Sequence, residues 1–351
     1  MESQEVSKGI SLKEIFAHLW PTKNITKLVS LGFGIVLISW LLAQLDLPAT
    51  VEIIRNVPLS LVMLGFLCYA LSFYLRAARF RLLLPPDQPG DQLFPIVLVH
   101  YTALNIIPAR MGEISYVYLM KKIHGVSIGC SVSSLILARV FDQIAISSLF
   151  LISAGMVNIS SQWLRTLSLI IGGFLISMFL MLMVLLIYKA QCASFITKLL
   201  VRFQWNRYAL VKKGIQEMEN IVTALDKIRI KENSVKILGI SGLIWLSIFG
   251  VNYSLLHAFN VNLTFAAVML SSTFSILLTL LPFQLLSGMG IRETAWMFIV
   301  SALGVPRNTA IVAAFGIHIV AVVYLVMFAL YGFGKLSLVM KKREKKAPKV
   351  S

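Results

Sequence analysis

The sequence predicts an all-α polytopic membrane protein, an inverted repeat of 3+3 transmembrane helices with a re-entrant helical hairpin in each half. Of the 351 residues, 58% are hydrophobic and only 13% are charged, and the mean hydropathy is +0.83. This composition excludes a soluble domain. Several apolar runs approach the roughly 20 residues that cross a bilayer core. A polar pattern next to a proline also occurs twice, which indicates an internal repeat.

Six apolar runs are long enough to be predicted as full transmembrane spans. They are residues 28–45, 58–75, 128–157, 164–188, 237–257 and 308–332. The first three form membrane repeat 1 (28–157), and the last three form membrane repeat 2 (158–335). Three is an odd number, so the two halves enter the membrane in opposite orientations. Inverted repeats of this kind are a recurring transporter plan.

Each half also contains a pair of shorter apolar stretches, at 92–120 and 264–303. Ten helical residues cover about 15 Å, half a bilayer core, so these arms suit re-entrant hairpins. Pro108 removes a backbone donor and disfavours helix at Ile107, which predicts a helix break there. Broken backbone is tolerated at membrane depth only when protein buries it or when it lines a wet cavity. A surface loop between two spans is the alternative.

The net charge of +17 follows the positive-inside rule and does not indicate a nucleic-acid partner. With the N-terminus inside, the predicted cytoplasmic segments contain 26 of the 32 Lys and Arg residues. These segments are 1–27, 76–91, 121–122, 189–236 and 333–351. The sequence therefore predicts a cell (inner or plasma) membrane protein whose N- and C-termini are both cytoplasmic.

Three segments outside the spans have amphipathic or basic character. Residues 1–27 contain a capping box, Ser11 to Glu14, and are predicted to form an amphipathic helix on the cytoplasmic leaflet. Residues 336–351 form a basic cytoplasmic tail. In the cytoplasmic insert 189–236, an apolar helical stripe consists of Val211, Ile215, Met218, Val222 and Leu225. The stripe favours either a membrane-surface helix or docking to a lipid-synthesis or glycosyltransferase partner.

The cysteines Cys68, Cys130 and Cys192 are well separated and odd in number. Their spacing predicts neither a disulfide framework nor a metal site. We therefore expect no metal and no cofactor.

Six ionisable residues surround the two helix breaks: Arg110, Glu113, Arg139, Asp142, Arg292 and Glu293. Ionisable groups inside a membrane are expected to mark functional sites. The three arginines are predicted to bind phosphate. The three carboxylates would balance them or receive a headgroup amine. Arg110 and Glu113 are three residues apart, as are Arg139 and Asp142, so these pairs could instead merely hold helices together.

Further candidate binding residues lie in the same segments. Gly112, Gly288 and Gly290 would allow close approach to a ligand or to a neighbouring helix. Asn105 and His100 precede the first break. His100 either shuttles protons, donates a hydrogen bond to a phosphate, or is a buried, hydrogen-bonded histidine. Arg76 and Arg79 end the second span as membrane anchors or as a headgroup clamp. When the two halves are aligned with Glu113 opposite Glu293, His318 corresponds to Arg139.

Several motifs together carry a family resemblance. They are the Arg-rich end of the second span, Asn105-x-x-Pro108-x-Arg110-x-Gly112-Glu113, Arg139-x-x-Asp142, and Pro282 followed by Gly288-x-Gly290-x-Arg292-Glu293. From about residue 28 to 335, the chain resembles the lysylphosphatidylglycerol synthase transmembrane-domain, or flippase-like, family. One departure is that Ser115 and Tyr116 stand where the family pattern leads us to expect another basic residue.

The resemblance implies a protein that moves aminoacylated or other lipids between leaflets. No soluble aminoacyltransferase domain follows the membrane part, so we expect the translocase half without lysyl transfer. The substrate would be a membrane phospholipid or a polyprenyl-linked lipid. Two alternatives remain open: a membrane enzyme acting on a lipid-linked phosphate or sugar with Glu113 or His100 as base, and a scaffold of an envelope-synthesis complex.

Overall fold

The computed structural model describes residues 47–85, 90–107, 112–203, 208–227, 230–278 and 290–346, and the single positions 39, 43 and 88. This part of the chain is helical throughout and contains no β-strand. The predicted N-terminal helix (1–27) and nearly all of the first predicted span (28–45) lie outside the described residues.

The described helices are numbered here in chain order. They are α1 Leu47–Arg55, α2 Leu59–Leu82, α3 Leu93–Ile106, α4 Glu113–His124, α5 Ile128–Met156, α6 Gln162–Ile187, α7 Lys189–Arg202, α8 Ala209–Lys227, α9 Ile230–Ala258, α10 Phe265–Leu278, α11 Ile291–Ala302 and α12 Arg307–Lys346.

Five of these helices are long and apolar enough to cross a membrane: α2, α5, α6, α9 and α12. They correspond to five of the six predicted spans. The shortest, α2, has 24 residues and is about 36 Å long, which exceeds a hydrocarbon core of about 30 Å. Large apolar side chains such as Leu67, Leu169 and Leu330 are exposed on α2, α6 and α12, and these faces suit contact with acyl chains.

The four helices on either side of the predicted breaks have only 12 to 14 residues, as the apolar runs indicated. Helix α3 ends at Ile106, and Ile107 is extended (φ −90°, ψ 122°), the conformation that a following proline favours. The partners α3 and α4 pack against each other, as do α10 and α11.

The approach of α4 to α3 depends on Gly112. A Cβ atom at this position would lie 2.4 Å from the backbone nitrogen of Leu104 and 2.5 Å from the carbonyl carbon of Ala103. The neighbour that this glycine accommodates is therefore a helix, one of the two roles the sequence left open.

The long helices α2 and α9 pack along each other and connect the two halves of the chain. The short helices also pack across the two halves. Helix α3 of the first half contacts α12 of the second, and α10 of the second half contacts α5 of the first. One hydrophobic core contains Phe73, Leu98 and Met120 from the first half, and a second contains Leu255 and Trp296 from the second half. The membrane part is thus one helical assembly in which each half covers the other's short helices.

The insert 189–236 contains α7, α8 and the start of α9. Helix α8 packs on the beginning of α5, where the hydroxyl of Ser133 donates to the carbonyl of Ile221 at 3.1 Å. Leu225, from the predicted apolar stripe, is buried in the first hydrophobic core beside Ile221. Part of the stripe therefore serves docking within the chain itself.

Candidate functional site

A cavity of about 180 Å³ lies between six helices, the pairs α2 and α9, α3 and α10, and α11 and α12. Its polar lining residues are Tyr69, Arg76, Tyr101, Asn105, Asn252, Ser272, Ser275, Arg292 and His318. Both halves of the chain contribute to it. Since membrane pockets with convergent polar groups are the usual binding sites, this cavity is the principal candidate.

Arg76 enters the cavity from the last turns of α2. Its guanidinium carbon lies 4.1 Å from the ring centroid of Tyr101, which is a cation–π distance. The side chain is only 8% exposed, and its Nε has no hydrogen-bond partner among the described residues. No carboxylate in this part of the chain lies within salt-bridge distance of Arg76.

Arg292 enters the same cavity from the first turn of α11. The helix begins after Gly290, whose φ of 89° lies in the left-handed region that favours glycine. The free N–H groups and positive dipole end of a helix start favour an anion. Arg292 also has no carboxylate within salt-bridge distance among the described residues.

Glu293, the next residue, does not face Arg292 as a salt-bridge partner. Its Oε2 accepts a hydrogen bond from the backbone N–H of Gly290 at 2.6 Å, and its Oε1 contacts Nδ1 of His318 on α12. Nε2 of His318 has no partner among the described residues. Glu293 therefore fixes the start of α11 and the His318 ring, which lines the cavity.

A buried ion pair lies beside the cavity. Arg79 donates from Nη1 to Oδ1 of Asp142 at 2.5 Å and from Nη2 to Oδ2 at 3.1 Å. Ser241 accepts from Arg79 at 2.9 Å, and the indole N–H of Trp245 donates to Asp142 at 2.9 Å. The Arg79 side chain is fully buried. Arg79 is thus neither a membrane anchor nor a free clamp, and it joins α2 to α5 and α9.

A second ion pair joins α4 to α5. Glu113 accepts from Nη2 of Arg139 at 2.8 Å and from Nε at 3.1 Å, and both side chains are one-third exposed. The predicted contact between Arg139 and Asp142 is present but long, at 3.9 Å. Glu113 and Glu293 therefore occupy comparable places, since each lies in the first turn of its short helix and contacts a basic residue of the following long helix.

His100 and Asn105 differ in their environments. His100 is buried, with Nδ1 at 3.3 Å from the carbonyl oxygen of Gly112, and it packs against the rings of Tyr101 and Tyr116. Asn105 lines the cavity and donates to the carbonyl of Tyr101 at 2.8 Å. The buried interpretation of His100 is therefore the one that the structure favours.

Of the residues singled out in the sequence, the cavity brings together Arg76, Asn105, Arg292 and His318. Arg79, Glu113, Arg139, Asp142 and Glu293 form ion pairs or helix caps, and Gly112 and Gly290 start α4 and α11. Arg110 and Gly288 lie outside the described residues. Over the described ranges, no three His, Cys, Asp or Glu side chains converge in a way that would hold a metal ion.

Comparison with known families places this arrangement in context. The model of the family described as the lysylphosphatidylglycerol synthase TM region matches residues 27–329. The chain belongs to this family. It is therefore an integral, multi-pass membrane protein of a family concerned with lipid handling. No curated protein and no solved structure matched the chain.

The match includes every residue that lines the cavity. Several of them were not singled out in the sequence, namely Tyr69, Tyr101, Asn252, Ser272 and Ser275. A signal was present for Asn252, a lone amide in the apolar span 237–257, and for the hydroxyl-rich run from Ser271 to Ser275. Polar groups in lipid-spanning helices usually face the protein interior or a wet cavity, so this placement has a simple physical reason.

Proposed function

We propose that this protein is a lipid translocase of the flippase type, which moves a lipid headgroup between leaflets through the cavity. The observation that carries the proposal is that Arg76 and Arg292 line one cavity between apolar helices, with no carboxylate of the described residues within salt-bridge distance of either. An ionised side chain at the bilayer centre costs roughly 3 kcal/mol on insertion scales. Two such arginines in one cavity are consistent with an anionic ligand that balances them.

The lining suits a headgroup phosphate. The guanidinium of Arg76 lies over the ring of Tyr101, and Arg292 lies in the first turn of a helix whose dipole adds positive potential. Guanidinium groups can make bidentate contacts with phosphate oxygens. Asn252, which donates to Ser272 at 3.0 Å, offers neutral hydrogen-bonding groups to the remainder of the headgroup. The acyl or isoprenoid tails would remain in the surrounding lipid.

We further propose that the two halves form an inverted repeat and that α3–α4 and α10–α11 are re-entrant hairpins. The reciprocal packing of α3 on α12 and α10 on α5 supports a pseudo-two-fold relation. The contacts of Glu113 with Arg139 and of Glu293 with His318 support it independently, since both join equivalent elements. Movement of one half against the other would then open the cavity to each leaflet in turn.

The proposed topology makes a labelling prediction. In a protein whose Cys68, Cys130 and Cys192 are replaced by alanine, single cysteines at Lys121 and Pro306 are expected to react from opposite sides. Both positions are exposed: Lys121 lies in the last turn of α4, and Pro306 follows the end of α11. In sealed inside-out and right-side-out vesicles, Lys121→Cys is expected to react with reagent from the cytoplasmic face. The two termini are expected to lie on that same face. Labelling of both cysteines from one side would contradict the inverted repeat.

The translocase function is testable with purified protein in liposomes. We expect lipid to exchange between leaflets and to be recovered chemically unchanged, with liposomes that lack protein as the control. Both quantities are measured on one sample, by quenching of a fluorescent lipid and by mass analysis of the extracted lipid. A covalently altered lipid would instead support the enzyme, and neither exchange nor alteration would favour a scaffold.

The Glu113→Gln variant provides a second test that distinguishes a translocase from an enzyme. Glu113 is already paired with Arg139, and both are partly exposed, so exchange is expected to persist at a similar rate. Loss of a general base would instead reduce turnover by roughly 10²–10⁴-fold. A loss of exchange of that size would contradict the purely balancing role of Glu113.

A further inference from the structure

We infer that the cavity selects lipids whose headgroup carries a phosphate and hydroxyl groups but no amine. The inference rests on the proposed translocase function and names its substrate class. Such a headgroup is anionic, whereas a phosphoethanolamine or aminoacylated headgroup also brings an ammonium group into the site.

The distribution of charge around the cavity carries the inference. Three carboxylates beside the short helices have a basic partner: Glu113 with Arg139, Asp142 with Arg79, and Glu293 with His318. Arg76 and Arg292, which line the cavity, have no carboxylate partner among the described residues. The described lining therefore presents positive charge to a phosphate and contains no carboxylate that could bind an ammonium.

Aromatic rings can replace a carboxylate as partners of ammonium groups. In this cavity the guanidinium of Arg76 lies over the ring of Tyr101 and also near that of Phe73. The other rings of the lining, Tyr69 and Trp296, belong to the same positively charged cavity. An incoming ammonium would be close to two like charges, Arg76 and Arg292, and like charges at low dielectric repel strongly. The amide of Asn252 and the hydroxyls of Ser272 and Ser275 suit hydroxyl groups instead.

The size of the cavity limits the headgroup further. Its volume of about 180 Å³ is below the roughly 300–1,000 Å³ of pockets for drug-sized ligands. A phosphate with a small polyol is compatible with this volume, whereas an oligosaccharide is not.

The test compares leaflet exchange of phosphatidylglycerol and phosphatidylethanolamine by the full-length protein in liposomes. The phosphate is common to the two lipids, and only phosphatidylethanolamine brings an ammonium group towards Arg76 and Arg292. We therefore expect phosphatidylglycerol to exchange at least about ten-fold faster, which corresponds to about 1.4 kcal/mol. Equal rates would overturn the headgroup selectivity and leave the translocase intact. Failure to move either lipid would overturn the proposed function itself.

A substitution that changes the charge of the lining tests whether the cavity causes the selectivity. Asn252→Asp adds a carboxylate of nearly the same shape beside Ser272. We expect it to slow the exchange of phosphatidylglycerol and to bring its rate closer to that of phosphatidylethanolamine. Ser272→Asp is a second, independent variant in case the first does not fold, and Arg165→Gln on the exposed first turn of α6 is the control. An unchanged ratio in a folded variant would overturn the assignment to this cavity.

A final arm distinguishes a lipid headgroup from a free phosphate. Inorganic phosphate or glycerol 3-phosphate trapped in the same liposomes is expected to remain inside, since its release would require a continuous aqueous path. Release that depends on the protein would overturn the lipid as the source of the phosphate.

Discussion

Asp142→Ala is expected to cause the largest loss of stability of any single substitution in the membrane part. Asp142 holds the fully buried Arg79 at 2.5 and 3.1 Å and also accepts from Trp245. Its removal leaves an uncompensated charge inside the helical assembly, which costs about 3–5 kcal/mol. The melting temperature of the purified protein in detergent should fall accordingly.

Two control variants identify the cause of this loss. In Arg79→Leu combined with Asp142→Leu, no charge remains to be buried, and we expect much of the stability to return. Asp91→Ala removes an exposed aspartate and should have little effect. A single Asp142→Ala protein as stable as the wild type would mean that Arg79 finds another partner or water.

In contrast to Asp142→Ala, the double variant Arg76→Gln with Arg292→Gln is expected to lose lipid exchange without losing stability. Leaflet exchange of an anionic lipid should fall at least about 100-fold, because two charge-assisted contacts of about 1.5–3 kcal/mol each are lost. The melting temperature should stay the same or rise, since neither arginine has a carboxylate partner in the described part of the chain and buried charge is costly. Both quantities are measured on the same preparation.

The matched comparisons for the arginines are a conservative and a remote substitution. Arg292→Lys keeps the charge but loses the planar fork, so it should weaken exchange without abolishing it. Arg165→Gln should leave both exchange and stability unchanged. If the double glutamine variant were destabilised as strongly as Asp142→Ala, the arginines would be structural residues and the site would have to be sought elsewhere.

The helical elements were largely predictable because their causes are local. Apolar runs located five long helices, and Pro108 located the end of α3 at Ile106. The alignment of the two halves also placed Glu113 opposite Glu293 and Arg139 opposite His318. In the structure, each of these glutamates contacts the basic residue of its own half.

The partners of buried charges were not predictable in the same way. Spacing along a helix indicated Arg139 and Asp142 as a pair, but the closer partner of Asp142 is Arg79, 63 residues away. Helical periodicity shows which side chains share a face, and not which neighbouring helix presents a better partner. The cavity was not predictable for the same reason, since Arg76 and Arg292 come together only when helices that are distant in the sequence pack.

Chemical blocking of the cavity tests whether a lipid headgroup crosses the membrane through it. Ser275 lines the cavity and is buried, and Ser275→Cys in the cysteine-free protein changes one oxygen to sulfur. Exchange should continue in this protein at nearly its original rate. After reaction with a bulky thiol reagent, verified by the mass of the intact protein, exchange should stop.

Thr166→Cys, on the exposed surface of α6, provides the control for the reagent. Its modification should leave exchange unchanged, which would separate occupation of the cavity from general effects of labelling. Of the two cysteine variants, only Ser275→Cys is therefore expected to lose lipid exchange when it is modified. Undiminished exchange by a fully modified Ser275→Cys protein would contradict it, because the headgroup would then have to cross by another route.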